Sequence, residues 1–148
     1  PTLLEQAQIR TPYTHFGQSL APLVSGGPGR QAVYAVGGYD PREPQCFETG
    51  IKSPDDPLLG HYYEKLKLQQ DVPSTVARAA MIRTREWKLV MRSAGKEELY
   101  DLQNDPQELH NRIDDPACTA IRIELGEQLL RWYIRTSDNP HWEHQRRL

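Results

Sequence analysis

Positively charged side chains crowd one short stretch of the sequence, and such a cluster could hold an anionic substrate. It consists of Arg78, Arg83, Arg85, Lys88 and Arg92, and a single glutamate interrupts it. Charges of one sign raise the local concentration of ligands of the opposite sign. Lys and Arg are also usual at protein surfaces, and this structural interpretation is favoured for the cluster as a whole.

Two other groups carry side chains that can bind metals. His141 and His144 stand one helical turn apart in polar sequence. A zinc site needs further ligands, so a solvated tail is favoured. Asn104 and Asp105 precede Pro106, where such side chains usually bond nearby backbone to form a turn. The sequence contains no nucleophile elbow, phosphate-binding glycine loop or serine–histidine–aspartate set. We therefore predict neither a catalytic residue nor a metal ligand in this chain.

A small antiparallel sheet would position the basic cluster. Apolar, β-branched and aromatic residues predict strands over residues 31–36, 76–84, 87–92 and 98–102. The glycine-containing turn at 93–96 predicts a hairpin. Trp87, Leu89 and Met91 are expected on one face, and Val90 with the charged residues on the other. This alternation is typical of a sheet with one buried face.

The clearest helix lies near the C-terminus. Asp115 is a suitable cap, Pro116 suits the first turn, and apolar residues recur at helical spacing to about Arg135. The apolar face expected to lie on the sheet combines two stripes, one with Ala120, Ile123, Leu130 and Ile134 and one with Ile121, Leu125, Leu129 and Trp132. Shorter helices are predicted over residues 1–8, after Ser19 and over residues 61–70.

The 148 residues suffice for one domain, and 18 basic and 20 acidic side chains give a formal charge of −2. Neither end is strongly charged and no apolar run is long enough for a membrane span, so we expect neither nucleic-acid nor membrane binding. Cys46 and Cys118 are expected to be buried free thiols, with one disulfide as the alternative. Because the sequence opens on Pro1 without a charged-then-apolar leader, we expect a processed product or a piece of a longer protein.

Four strings of residues resemble strings of the sulfatase family and stand in the same order. Residues 99–108, with Asn111 beyond them, are similar to the family's L-Y-D-L-x-x-D-P-x-E-x-x-N string. Residues 81–90 resemble its R-T-x-x-W-K-L-V strand pair. Residues 1–5 (PTLLE) resemble the helix after its catalytic half, and residues 17–23 (GQSLAPL) its G-x-S-L-x-P-L-L segment.

The resemblance implies the C-terminal portion of an arylsulfatase-like protein of the alkaline-phosphatase superfamily. Such proteins have an α/β catalytic domain and a smaller α+β subdomain, in which an antiparallel sheet of about four strands packs against a C-terminal helix. On this sequence, residues 1–30 would be the end of the catalytic domain and a linker. Residues 31–136 would be the C-terminal subdomain, and residues 137–148 a polar tail.

The resemblance also implies where the chemistry lies. Sulfatases hydrolyse sulfate esters with a formylglycine, made from Cys or Ser in a C/S-x-P-x-R motif, and with a divalent cation, usually Ca²⁺. Both are expected upstream of residue 1, so we expect no cofactor in this chain and no activity from it alone. Cys118 and Arg122 have the spacing of the motif, but Ala120 replaces its proline. We therefore interpret Cys118 as a packing residue.

Five residues are candidates for substrate binding. Gly38, Tyr39 and His61 belong to a strand end and a long loop that, in sulfatases, lie near the mouth of the active site. Arg83 and Arg85 could attract a sulfated substrate. The expected partners are the N-terminal catalytic domain of the same protein and a sulfated carbohydrate or an aryl sulfate. The family's tendency is a periplasmic or extracellular location.

Two alternatives remain open at the level of the sequence. The sheet and helix could form a non-catalytic glycan-binding or assembly module. The chain could also be the tail of a related phosphodiesterase or phosphonate hydrolase, because the matching strings do not specify the substrate.

Overall fold

The computed structural model describes residues 1–10, 15–40, 55 and 62–137. The helices and strands within these ranges are α1 (Thr2–Gln6), α2 (Ala21–Val24), β1 (Val33–Gly37), α3 (Tyr63–Asp71), β2 (Ala79–Arg83), β3 (Trp87–Arg92), β4 (Glu98–Asp101) and α4 (Thr119–Thr136). Two 3₁₀ turns, Pro73–Val76 and Pro116–Cys118, precede β2 and α4. No helix in these ranges is long and apolar enough to cross a membrane.

The strands form one sheet in chain order, β1-β2-β3-β4, and each neighbouring pair is antiparallel. Ile82 of β2 lies opposite Leu89 of β3, which lies opposite Leu99 of β4. The sheet and its C-terminal helix confirm the predicted α+β fold. The second strand begins later than predicted, at Ala79, because the chain first turns through Pro73–Val76. The fixed φ of proline favours such a turn.

The core lies between one face of the sheet and α4. Ile82, Leu89 and Leu99 contribute from the sheet, and Leu125 and Leu129 contribute from the helix. Each of these five side chains is at most 3% exposed. Because apolar burial is the main favourable term in folding, this contact is what holds the helix on the sheet.

Two predictions about burial have different outcomes. Cys118 belongs to the core cluster at 5% exposure, which confirms its packing role, whereas Cys46 lies outside the described residues. Val90 was expected on the solvated face, and this was wrong, because it is only 7% exposed. It occupies an inner strand, where Met81 and Glu98 flank it from the two neighbouring strands.

α4 buries only one of the two apolar stripes predicted for it. Leu125 and Leu129 are buried, whereas Ile123, Leu130 and Ile134 are 55%, 59% and 67% exposed. Because an α-helix repeats every 3.6 residues, these three side chains lie on the side of α4 opposite the core. The prediction that both stripes lie on the sheet was wrong, since the sheet contacts only one side of the helix.

Candidate functional site

A tight backbone contact at the end of β1 places Gly38 and Tyr39. Gly38 has φ +82°, and a Cβ atom there would lie 2.4 Å from the carbonyl oxygen of Ala77. The N–H of Tyr39 donates to the carbonyl of Val76 at 2.8 Å, and Tyr39 forms a parallel bridge with Ala77. Glycine is therefore required at position 38, and the Tyr39 side chain is 52% exposed beyond it.

Arg83 and Arg85 lie at the opposite end of the sheet. The register places Gly37 opposite Ala79 but Val33 opposite Arg83. Arg83 lies four positions after Ala79 along β2, which corresponds to roughly 13 Å. The five predicted substrate residues therefore do not form one cluster, because Gly38 and Tyr39 stand at one end and Arg83 and Arg85 at the other.

The remaining candidate, His61, lies outside the described residues, as do His141 and His144. The structure therefore places four of the five predicted substrate residues. The long loop from Tyr39 through His61, which was expected to carry the substrate rim, is described only at Tyr39, Asp40 and Asp55.

Acidic side chains pair with much of the basic cluster. Glu108 bonds Arg83 through one carboxylate oxygen, at 3.0 Å, and Lys88 through the other. Arg92 pairs with Glu98. Glu108 adopts φ +58°, an uncommon value for a non-glycine residue, and its carboxylate bridges the two cations. These pairs favour the structural interpretation of the cluster.

The string around Asp101 stabilises the local fold through its own hydrogen bonds. Asp101 accepts hydrogen bonds from the side chain and backbone N–H of Asn104 and from the N–H of Gln103, and these bonds lower the pKa of its carboxyl. Asp105 accepts from the N–H of His110 at 2.8 Å, which likewise lowers its pKa. These bonds confirm the turn-forming role predicted for Asn104 and Asp105.

Asn111 has a role that the sequence did not reveal. Its Oδ1 accepts from the N–H groups of Leu99 and Ile113, both at 3.0 Å, and its Nδ2 donates to the carbonyl of Glu97. The N–H of Arg112 donates to the carbonyl of Leu99. Residues 111–113 therefore cover the edge of β4, whose unpaired backbone groups could otherwise pair with a strand of another molecule. The only sequence signal for Asn111 was its place at the end of the string that resembles the sulfatase L-Y-D-L string.

The described residues do not fit a metal site. They contain no group of three or more His, Cys, Asp or Glu side chains able to hold a metal ion, whereas Ca²⁺ takes six to eight oxygen ligands. Cys118 lies in the core without the proline that the formylglycine motif needs. No step of a sulfatase reaction is assigned to these residues.

Two sequence matches relate this chain to known proteins. Residues 45–135 match the family of N-sulphoglucosamine sulphohydrolase C-terminal domains. A segment of 55 residues, 37% of this chain, is 38% identical to the sulfatase YidJ of Escherichia coli (strain K12), itself uncharacterized, and covers 11% of that protein.

Solved structures show the same fold. A phosphonate monoester hydrolase from Silicibacter pomeroyi superposes with a TM-score of 0.65 at 25% identity, over 94% of this chain and 24% of the other. A 2-O GAG sulfatase gives 0.61 at 23% identity, over 93% and 24%. A protein in complex with its substrate D-glucosamine-2-N,6-O-disulfate also gives 0.61 at 23%, over 98% and 25%.

The chain thus spans about a quarter of the length of the structures it resembles. The family match covers more than half of the chain and includes β2, β3, β4 and most of α4. The sheet, its terminal helix and the string around Asp101 all lie where the resemblance to sulfatases predicted them. The chain therefore belongs to the N-sulphoglucosamine sulphohydrolase C-terminal family and is a sulfatase C-terminal domain.

Proposed function

We propose that this domain completes an enzyme that hydrolyses sulfate esters, by packing on an alkaline-phosphatase-like catalytic domain and forming one wall of its substrate cleft. The observation that carries the proposal is the family match over residues 45–135 in a chain folded like known sulfatases. The formylglycine and Ca²⁺ that the family uses would belong to the catalytic domain.

The exposed apolar residues of α1 and α2 support packing on another domain. Neither helix contains a buried residue. Leu3 is 84% exposed and Val24 is 90% exposed, and Leu20 and Leu23 are also exposed. Concentrated exposed apolar surface usually marks an interaction site. We infer that this part of the chain, predicted to be the end of a catalytic domain, contacts the remainder of such a domain.

The end of the sheet at Gly38 is the proposed substrate wall. The contact with Val76 and Ala77 fixes the backbone there, while the aromatic ring of Tyr39 extends into solvent. His61 is retained in this proposal as a residue of the same loop. Arg83 and Arg85 are assigned to a separate surface, because they stand at the other end of β2 and the charge of Arg83 is shared with Glu108.

Two measurements test this function. The coding frame upstream of Pro1 should continue for several hundred codons and contain C/S-x-P-x-R, and a start codon directly before Pro1 would contradict the proposal. The 148-residue chain alone should not hydrolyse 4-nitrophenyl sulfate, whereas the product of the whole frame should. Turnover by the pure chain would show that the catalytic residues lie within it.

A phosphonate monoester hydrolase is the second candidate, favoured by the likeness to the Silicibacter pomeroyi structure at a TM-score of 0.65. The whole-frame product, assayed with 4-nitrophenyl sulfate and 4-nitrophenyl phenylphosphonate, distinguishes the two. A kcat/KM at least tenfold higher on the sulfate ester supports the sulfatase, and the reverse ratio supports the phosphonate hydrolase.

A further inference from the structure

A groove runs between the start of β1 and one side of α4. It consists of two depressions, of about 240 and 530 Å³, which share Gln31 and Gln128 at their boundary. The larger one falls in the range of volumes typical of small-ligand sites. It lies at the end of the sheet opposite Gly38, because Val33, at the start of β1, pairs with Arg83.

The larger depression has two arginines and no carboxylate among the described residues that line it. Arg30 and Arg135 border it, and none of the lining residues that the structure describes is Asp or Glu. The smaller depression has Glu86 and Glu124 beside Arg85. Electrostatics therefore favour an anionic group in the larger depression and oppose one in the smaller.

Neutral acceptors hold Arg30 in place. Its Nε donates to Oε1 of Gln18 at 3.0 Å, and its Nη2 donates to the carbonyl oxygen of Phe16 at 3.1 Å. Neither acceptor is charged, and no carboxylate in the described ranges pairs with this guanidinium. Arg83 and Arg92 differ in this respect, since glutamates share their charge. The charge of Arg30 is thus oriented and available to a ligand.

A rigid aromatic pair forms the apolar wall of the depression. The rings of Tyr34 and Trp132 stack in parallel, with centroids 4.8 Å apart, and Tyr133 meets Trp132 edge-on. Both stacked residues pack against the core cluster. The side chains of Gln18, Gln128 and other polar residues complete the lining. An apolar wall with a few placed polar groups is the usual composition of a ligand site.

We propose that this depression binds a sugar ring that carries a sulfate group. Guanidinium N–H groups bind oxyanions through charge-assisted hydrogen bonds, the glutamine amides can bond sugar hydroxyls, and the aromatic wall covers the apolar face of the ring. The argument uses only the groove, so it is independent of whether the chain completes a sulfatase. It assigns a binding site separate from the substrate wall proposed at Gly38.

Isothermal titration calorimetry on the 148-residue chain tests the proposal. The probes are a heparin tetrasaccharide, the same tetrasaccharide after complete desulfation and N-acetylation, and sodium sulfate. We expect saturable binding of the sulfated probe, at least fivefold weaker in Arg30→Gln and in Arg135→Gln. Arg122→Gln is the matched control, because it removes the same charge from an exposed residue of α4 that does not border the groove.

Each outcome of the titrations supports or overturns the proposed binding site. Selective weakening in the two groove variants, with melting temperatures equal to that of the parent chain, supports the site. Equal weakening in Arg122→Gln would show that only overall charge matters. Equal binding of the desulfated probe, equal binding of free sulfate, or no binding at all would overturn the proposal. If Arg30→Gln lowers the melting temperature, Arg135→Gln, which also borders the depression, still provides the test.

Discussion

Gly38 stands where β1 turns against residues 76–77, and no side chain fits there. A Cβ atom would lie 2.4 Å from one carbonyl oxygen and 2.8 Å from another, at a φ of +82°. We predict that Gly38→Ala destabilises the chain by about 2–3 kcal/mol, through steric overlap and backbone strain. Urea denaturation measures this.

Gly37→Ala is the matched control, because no atom of the described residues lies within 4 Å of a Cβ at that position. It should be neutral or slightly stabilising, since alanine restricts the unfolded chain more than glycine does. Similar losses in the two variants would show that the contact with Val76 and Ala77 does not constrain the turn. Sequence alone identified Gly38 as the end of a strand, but not this contact, because the partner segment is distant in the chain.

The carboxylates of Asp101, Asp105 and Asp115 confer a pH dependence with a defined sign. Hydrogen bonds from Asn104, from the N–H of His110 and from Arg112, respectively, lower the three pKa values. A carboxyl with a lower pKa in the folded state stabilises the protein above its unfolded pKa of about 4. We predict that stability is constant near neutral pH and falls as the pH drops below that value. Thermal melts from pH 7 to pH 3 measure it.

Asp101→Asn separates this effect from general acid sensitivity. The variant loses the charged acceptor at neutral pH, so it should be less stable there and should lose less on acidification. Glu127→Gln is the control, since Glu127 pairs with exposed Arg131 on α4 and such pairs contribute little. A slope unchanged in Asp101→Asn would contradict the assignment.

At the scale of elements, α4 shows what sequence can and cannot determine. Its approach was predictable, because a cap acts locally: Asp115 accepts from the N–H of Ala117 at 2.9 Å and caps the 3₁₀ turn Pro116–Cys118. The α-helix itself begins three residues later than predicted, at Thr119, and no described side chain caps it. The bounds of β3 were also predicted correctly. Which side of α4 meets the sheet was not predictable, because two apolar stripes are present and only tertiary packing selects one.

Because only one side of α4 packs on the sheet, leucines on its two sides should differ in their contribution to stability. Leu125→Ala should cost about 2–5 kcal/mol, because Leu125 is 1% exposed in the core and truncation there leaves a cavity. Leu130→Ala removes the same atoms from a residue that is 59% exposed, and should cost less than about 0.5 kcal/mol. Chemical denaturation of both variants measures the difference. Equal losses would mean that a partner or another segment covers the outer face of α4.

At the scale of the whole molecule, the distribution of apolar surface separates two regions. The sheet and α4 have a closed core, whereas α1 and α2 contain no buried residue and expose Leu3 and Val24 almost completely. The candidate site has two parts in the same sense. Contacts within this domain fix the end of β1 at Gly38. The catalytic centre that a substrate wall must face was inferred from the sequence only through the resemblance to sulfatases.

Replacing Leu3 by Gln and Val24 by Thr tests whether α1 and α2 face a catalytic domain. In the 148-residue chain the double variant should leave the melting temperature within about 2 °C, since both side chains already contact water. In the product of the whole reading frame it should cost about 1–3 kcal/mol, because apolar area buried between domains is lost. Leu109→Gln, another exposed apolar residue, should be silent in both. If the double variant is silent in the longer protein as well, the domains meet through another surface, and the exposed stripe of α4 becomes the next face to test.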